Sequence, residues 1–170
     1  MAQDTIKVAA VGDLHCTKSS AGQLRPLFSQ AAEMADMLLL CGDLTDYGLA
    51  EEAKILADEL AAVKKMPVVA VLGNHDYESG TPDDVKNILC DAGVRILDGD
   101  AVEIDGIGIA GVKGFAGGYG RHALGPWGEG MIKSFVNEAI QEALKLESAL
   151  AKLRTERRIA LLHYSPILGT

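Results

Sequence analysis

Four short runs of almost unbroken apolar residues constrain this chain more than any other feature: "IKVAAV" (6–11), "MLLLC" (37–41), "PVVAVL" (67–72) and "RIALLH" (158–163). Runs of this kind read as β-strands covered on both faces, the habit of parallel sheets rather than of half-wet antiparallel ones. The segments between them have helical period. Pro26 suits a first helical position ahead of Leu27, Phe28, Ala31, Ala32 and Ala35. Leu49, Ala53, Leu56, Leu60 and Val63 recur at steps of three and four and share a face. Thr81-Pro82-Asp83-Asp84 is expected to cap a third helix that carries Val85, Ile88, Leu89 and Ala92 inward and stops at Gly93.

The texture changes after residue 93. "VRILDGDAVEIDGIGIAGVKG" (94–114) predicts short strands joined by tight Asp-Gly turns. "GFAGGYGRHALGPWGEG" (114–130) predicts a long surface loop, and 131–154 the longest helix. That helix is expected to bury Ile132, Phe135, Val136, Ala139, Ile140, Ala143, Leu150 and Leu153. The order βαβαβα, then hairpin-like strands, then αβ, describes a layered α/β fold whose N-terminal part has a mostly parallel central sheet. At 170 residues the length prior is one domain.

Each long apolar run ends in groups able to bind a metal. The first delivers Asp13 and His15, the second Asp43 and Asp46, the third Asn74, His75 and Asp76, and the last His163. In open parallel sheets ligands bind beyond the carboxyl ends of the strands, so four strand ends would line one crevice. Phosphate esters repel anionic nucleophiles. Two cations roughly 3.5–4 Å apart neutralise the ester oxygens and acidify a water held between them. Such a pair needs a bridging carboxylate and neutral donors to complete each shell. Asp43 suits the bridge, Asp13 and His15 one ion, and Asn74 and His163 the other. An all-oxygen-and-nitrogen donor set favours manganese or iron, and admits zinc.

These residues, in this order, resemble the calcineurin-like metallophosphoesterase superfamily, whose pattern is D-x-H, GDxx(D/N), GNH(D/E), a lone His and then GHxH. The resemblance runs from Asp13 to His163. It implies an αββα sandwich and hydrolysis of a phosphodiester or phosphomonoester by a metal-bridging hydroxide. It implies Asp13, His15, Asp43, Asn74 and His163 as metal ligands, with two divalent or trivalent ions. His75 would bind phosphate or act as general acid, and Asp46 would orient and charge it. The protein-phosphatase branch is disfavoured, because Tyr47 stands where that branch has a phosphate-gripping arginine and Asp76 where it has glutamate. The sequence ends at "LLHYSPILGT" without a GHxH. The expectation is therefore a single domain over 1–170 lacking its C-terminal part, weak in metal binding and impaired in activity. The alternative is a non-catalytic scaffold or binding module on the same fold.

Lesser readings complete the set. Asp76 supports the site or shapes a turn, and His122 is a solvent-exposed loop histidine. Cys16 and Cys41 read as small buried thiols rather than ligands, while Trp127 and Tyr119 either wall a substrate site or anchor the loop. A net charge of −8 argues against non-specific nucleic-acid binding. Three cysteines without CxxC spacing, no signal peptide and no membrane-length apolar run make a cytoplasmic chain the expectation, its partner a small phosphate ester. Oligomeric state is not readable.

Overall fold

The computed structural model describes residues 5–118 and 120–166, so Tyr119 lies outside the described residues. The chain divides into two compact units, Met1–Leu97 and Asp98–Thr170. No helix among the described residues is long and apolar enough to cross a membrane.

The first unit alternates strand and helix: β1 (Val8–Val11), α1 (Arg25–Met34), β2 (Met37–Cys41), α2 (Ala50–Leu60), β3 (Val68–Val71), α3 (Pro82–Asp91) and β4 (Arg95–Ile96). Its sheet has the order β1-β2-β3-β4, with every pair parallel. Successive residues of a strand face opposite sides of the sheet, and the core follows that alternation. Leu38, Leu40, Val68, Ala70 and Ile96 join Phe28 of α1, Ala53, Leu56 and Leu60 of α2, and Val85 and Leu89 of α3 in one cluster. All three helices thus cover one sheet face. Full burial of side chains such as Phe28, Leu56 and Leu89 contributes roughly 1.5–3 kcal/mol each.

Two carboxylates on α2 are buried with this core, and both serve backbone termini. Glu59 accepts N–H groups of Gly22 (2.8 Å), Leu24 (2.9 Å) and Arg25 (2.7 Å), closing the N-terminus of α1. Those N–H bonds, Gly22's first, hold its carboxyl below the usual range against the opposing effect of burial. Glu52 reaches back to the N–H groups of Tyr47 (2.9 Å) and Leu49 (3.3 Å) at the start of its own helix. Thr81 stands at the N-cap of α3, but its side chain makes no cap hydrogen bond; its hydroxyl pairs with Ser79 instead. At the other end of α3 the Gly93 N–H reaches Cys90 and the Val94 N–H reaches Leu89, a Schellman stop.

The second unit holds β5 (Asp100–Ile104), β6 (Ile107–Val112), α4 (Gly130–Lys152) and β7 (Arg157–Leu162). β5 and β6 form an antiparallel hairpin, and β6 pairs with β7 in parallel. Asp105 and Gly106 turn the hairpin with φ of 49° and 80°, both left-handed as a two-residue type I′ turn demands. Among the described residues between 114 and 129 the chain is largely exposed and irregular, with a 3-10 turn at 120–122 that contains His122. Trp127 stands 62% exposed, so it does not anchor that loop by packing.

Two expectations need correction. β2 and β3 are buried along nearly their whole length, but β1 and β7 are half-exposed. Both are edge strands among the described residues, where neighbouring cover runs out. On α4, Phe135, Ile140 and Ala143 face solvent, while the buried side runs through Val136, Glu142, Ala149 and on to Leu153. The stripe includes a buried charged residue, which apolar periodicity does not mark. Glu142 is buried by accepting the Gly114 N–H (2.9 Å) and the Lys145 ammonium (2.7 Å), which also reaches Asp98 (3.0 Å).

Candidate metal centre

The parallel register sets the strand ends side by side, Val11 opposite Leu40 and Cys41 opposite Val71. Beyond those ends the chain does not splay. The Asp13 N–H donates to Gly42 (3.1 Å), the His15 N–H to Asp43 (3.0 Å), the Cys16 N–H to Leu44 (3.1 Å), and the Asp46 N–H back to Cys16 (3.1 Å). A bridge between Cys16 and Thr45 ends this ladder of loop rungs. Within it Asp13, His15 and Asp43 adopt left-handed φ values of 52°, 43° and 47°. Non-glycine residues rarely take that conformation, and strain of this kind concentrates at binding sites.

The third loop is clamped to the second by Asp76. This fully buried carboxylate accepts the N–H groups of Leu44 (3.1 Å), Thr45 (2.8 Å) and Gly73 (2.8 Å) and the Thr45 hydroxyl (2.6 Å). Gly73 lies so close to Asp43 that a Cβ there would overlap the Asp43 backbone nitrogen and carboxylate. The His75 N–H then donates to Asp43 Oδ1 at 2.9 Å. The sequence left Asp76 between two roles. Its neighbourhood in "GNHD" was the only signal, since four donors converging from two loops cannot be read along one chain.

The side chains of the first unit converge. His15 Nε2 lies 3.7 Å from Asp43 Oδ2 and 4.0 Å from Asp13 Oδ1. Ligand atoms of His15, Asp43 and His75 all fall within 4.8 Å of one another. The His15 Nδ1 faces Asp46 Oδ1 at 3.2 Å, and an ionised carboxylate can only accept. With its Nδ1–H donated to that carboxylate, His15 turns Nε2 towards Asp13 and Asp43. This carboxylate-held imidazole is the arrangement that orients histidine ligands. Donors sharing one ion at about 2.1 Å lie roughly 3–4 Å apart, so the spacing and the donor chemistry fit a divalent cation.

His75 is fixed by a different acceptor. Its Nδ1 donates to the Asp46 backbone carbonyl at 2.7 Å, and the Asp46 carboxylate is farther, at 3.8 Å. The carboxylate of Asp46 is thus nearer His15 than His75. The carbonyl bond is the main reason the His75 ring is held above the ordinary histidine range; partial burial opposes it, and the charges of Asp43, Asp46 and Glu78 reinforce it. The rings of His15 and His75 meet edge to face at 4.4 Å. Asn74 opens the 3-10 turn at 75–77, where its carbonyl accepts the Tyr77 N–H.

His163 belongs to the second unit. It directly follows β7, its N–H donates to Lys113, and its ring stands 5.1 Å from that of Tyr164. The thiols beside the site are passive. Cys16 is buried and pushed up to about 11 by desolvation, and Cys41 is raised by burial and by the charge of Asp13.

The family model described as calcineurin-like phosphoesterase matches residues 6–166. No curated protein matches the chain. With the match spanning nearly all of its length, this chain belongs to the calcineurin-like phosphoesterase family.

Proposed function

We propose that the chain hydrolyses phosphate esters with two divalent metal ions held by Asp13, His15, Asp43, Asn74 and His163. The observation that carries this reading is the preset His15: Asp46 fixes its Nδ1–H, and its Nε2 faces the carboxylates of Asp13 and Asp43 at 4.0 and 3.7 Å. Asn74 and His163 enter from their positions in the family pattern. When bound, the ions neutralise the ester oxygens and acidify water for in-line attack. The chain's own residues do the rest. Asp43 would hold both ions, while its Oδ1 orders the His75 backbone. His75, its Nδ1–H committed to the Asp46 carbonyl, presents Nε2 to the substrate, where the raised basicity keeps a proton available for the leaving oxygen.

Manganese or iron suits the oxygen and nitrogen donors best, with zinc next. The odd cysteine count without CxxC spacing supports a cytoplasmic setting. The test is to strip the protein with chelator, reload it with manganese, and measure bound metal and bis-p-nitrophenyl phosphate turnover together. Metal uptake with manganese-dependent turnover is expected. Failure to retain manganese would overturn the reading, and uptake without turnover would favour a non-catalytic scaffold.

A further inference from the structure

Helix α4 gives one side to the sheet of its own unit: Val136, Glu142, Ala149 and Leu153 are buried, and Leu146 and Leu150 pack beside them against Ala110. A second seam runs along another side. Lys133, Asn137, Ile140, Leu144, Glu147 and Ala151 follow one another at steps of four, three, four, three and four. That is the 3.5-residue repeat of a helix that packs along a second helix. At roughly 100° per residue the six fall within about 80° of arc. Every one of them is exposed. Single exposed apolar side chains are ordinary on a protein surface. Here Ile140 at 48% exposure and Leu144 at 50% hold successive central positions of the repeat, with exposed Ala143 alongside. Covering a sheet takes one stripe of an amphipathic helix, and this helix carries two.

The polar members of the seam indicate what covers it. Neither Lys133 nor Glu147 has an ion-pair partner among the described residues. A second copy of α4 laid antiparallel, with each Ile140 opposite the other's Leu144, has its two-fold axis between those residues. Asn137 then stands opposite Glu147 of the second copy, and Lys133 lies one turn from the same carboxylate. A parallel pair would set Lys133 against Lys133 and Glu147 against Glu147, and like charges oppose it. The seam is therefore complementary to itself in one orientation, the condition for an isologous two-fold contact. We propose that the chain forms a homodimer by packing α4 antiparallel against α4 of a second copy along this seam. At roughly 27 Å long the seam makes a small, reversible interface. It uses no residue of the metal centre and stands apart from the phosphoesterase reading.

Sedimentation equilibrium of the full chain tests it, under reducing conditions that keep exposed Cys90 from linking copies. A monomer–dimer equilibrium is expected between about 1 µM and about 1 mM, the span of small reversible contacts. Leu144→Asp should weaken association at least about tenfold. With this side chain half in water, the variant monomer should keep the wild-type circular dichroism and melting temperature. Lys133→Glu and Glu147→Lys should each weaken association about fivefold, because each brings like charges together at both symmetry-related contacts. The double exchange should restore wild-type dimerisation, which neither misfolding nor a general change of surface charge would do.

A wild-type chain that stays monomeric throughout that range leaves the seam to a partner other than itself and overturns the proposal. A dimer whose affinity is unchanged by Leu144→Asp overturns it as well. So does a double exchange that remains as weak as its single variants.

Discussion

Asp76 offers the sharpest test of how this centre is held together. Its two oxygens accept four donors and meet no acceptor: Thr45 N–H and hydroxyl on Oδ1, Leu44 and Gly73 N–H on Oδ2. An asparagine is nearly isosteric, yet its NH2 must replace one oxygen. Turned towards Leu44 and Gly73, it faces two N–H groups and strands both. Turned towards Thr45, it lets the hydroxyl rotate and accept, but strands the Thr45 N–H. The better choice still leaves one buried donor unpaired and converts charge-assisted bonds to neutral ones, a cost of about 2 kcal/mol. Alanine strands all four, and even with a water admitted it should cost about 4 kcal/mol.

For a chain of this size, 1 kcal/mol shifts the melting temperature by roughly 2–4 °C. Asp76→Asn should therefore melt about 4–8 °C lower than wild type, and Asp76→Ala roughly 8–16 °C lower, read by circular dichroism on the metal-free protein. Manganese affinity, measured by titration calorimetry below the melting range, should fall in both, because the loops of Asp43 and His75 lose their clamp. If Asp76 acted instead as a ligand, Asp76→Asn would weaken manganese with an unchanged melting temperature. A metal-free Asp76→Asn protein within about 0.5 kcal/mol of wild type would refute the four-donor argument.

Other outcomes follow from the same contacts. Asp13→Asn keeps a side chain tolerant of left-handed φ and removes one of two carboxylates whose ligand atoms lie within 4.8 Å, so the metal-free protein should gain about 1 kcal/mol in urea unfolding while manganese binds at least about tenfold more weakly. Glu59, with its folded pKa depressed, contributes stability that is complete above the ordinary carboxylate range near ~4.3 and is lost as pH falls through the folded value. Glu59→Gln should accordingly cost about 1–2 kcal/mol at pH 7 and progressively less as pH is lowered below that range, in unfolding curves across the acid limb. In a thiol-reagent assay at pH 8, exposed Cys90 should react at once, and buried Cys16, with its pKa at about 11, only on unfolding.

The parts of the fold legible in the sequence were those whose signal is local. β2 spans the same residues as its apolar run, α1 carries its proline in the first turn, and the Asp105-Gly106 hairpin turns where the dipeptide says it should. What was not legible depends on partners distant in sequence. Glu52, Glu59 and Glu142 break the apolar faces of their helices, and each is buried because it accepts N–H groups on another segment or ahead of its own helix. The candidate ligands at β1, β2 and β3 were legible because a parallel sheet brings strand ends together whatever their spacing along the chain. The division of labour around Asp46 was not. Which histidine its carboxylate faces is decided by angstroms, 3.2 against 3.8, and its backbone carbonyl leaves no trace in residue type.

The left-handed residues connect these observations. Had β1 and β2 continued as regular strands, the side chains of Asp13 and Asp43 would stand perpendicular to the sheet, on its covered or open faces. Left-handed φ at 13, 15 and 43 bends both chains just beyond the strand ends and re-aims these groups off the sheet's carboxyl edge, where a cation can reach them. Each such residue costs on the order of 1 kcal/mol, and the crowding of carboxylates adds to it. Isolated turns would relax. Here the rungs from Asp13, His15, Cys16 and Asp46 hold the first loop to the second, Asp76 holds the second to the third, and the bare backbone of Gly73 lets that third loop close on Asp43. The strain is therefore shared across three loops. No one of these loops can ease without breaking contacts at the other two, so the geometry of the candidate donors is preset by the fold.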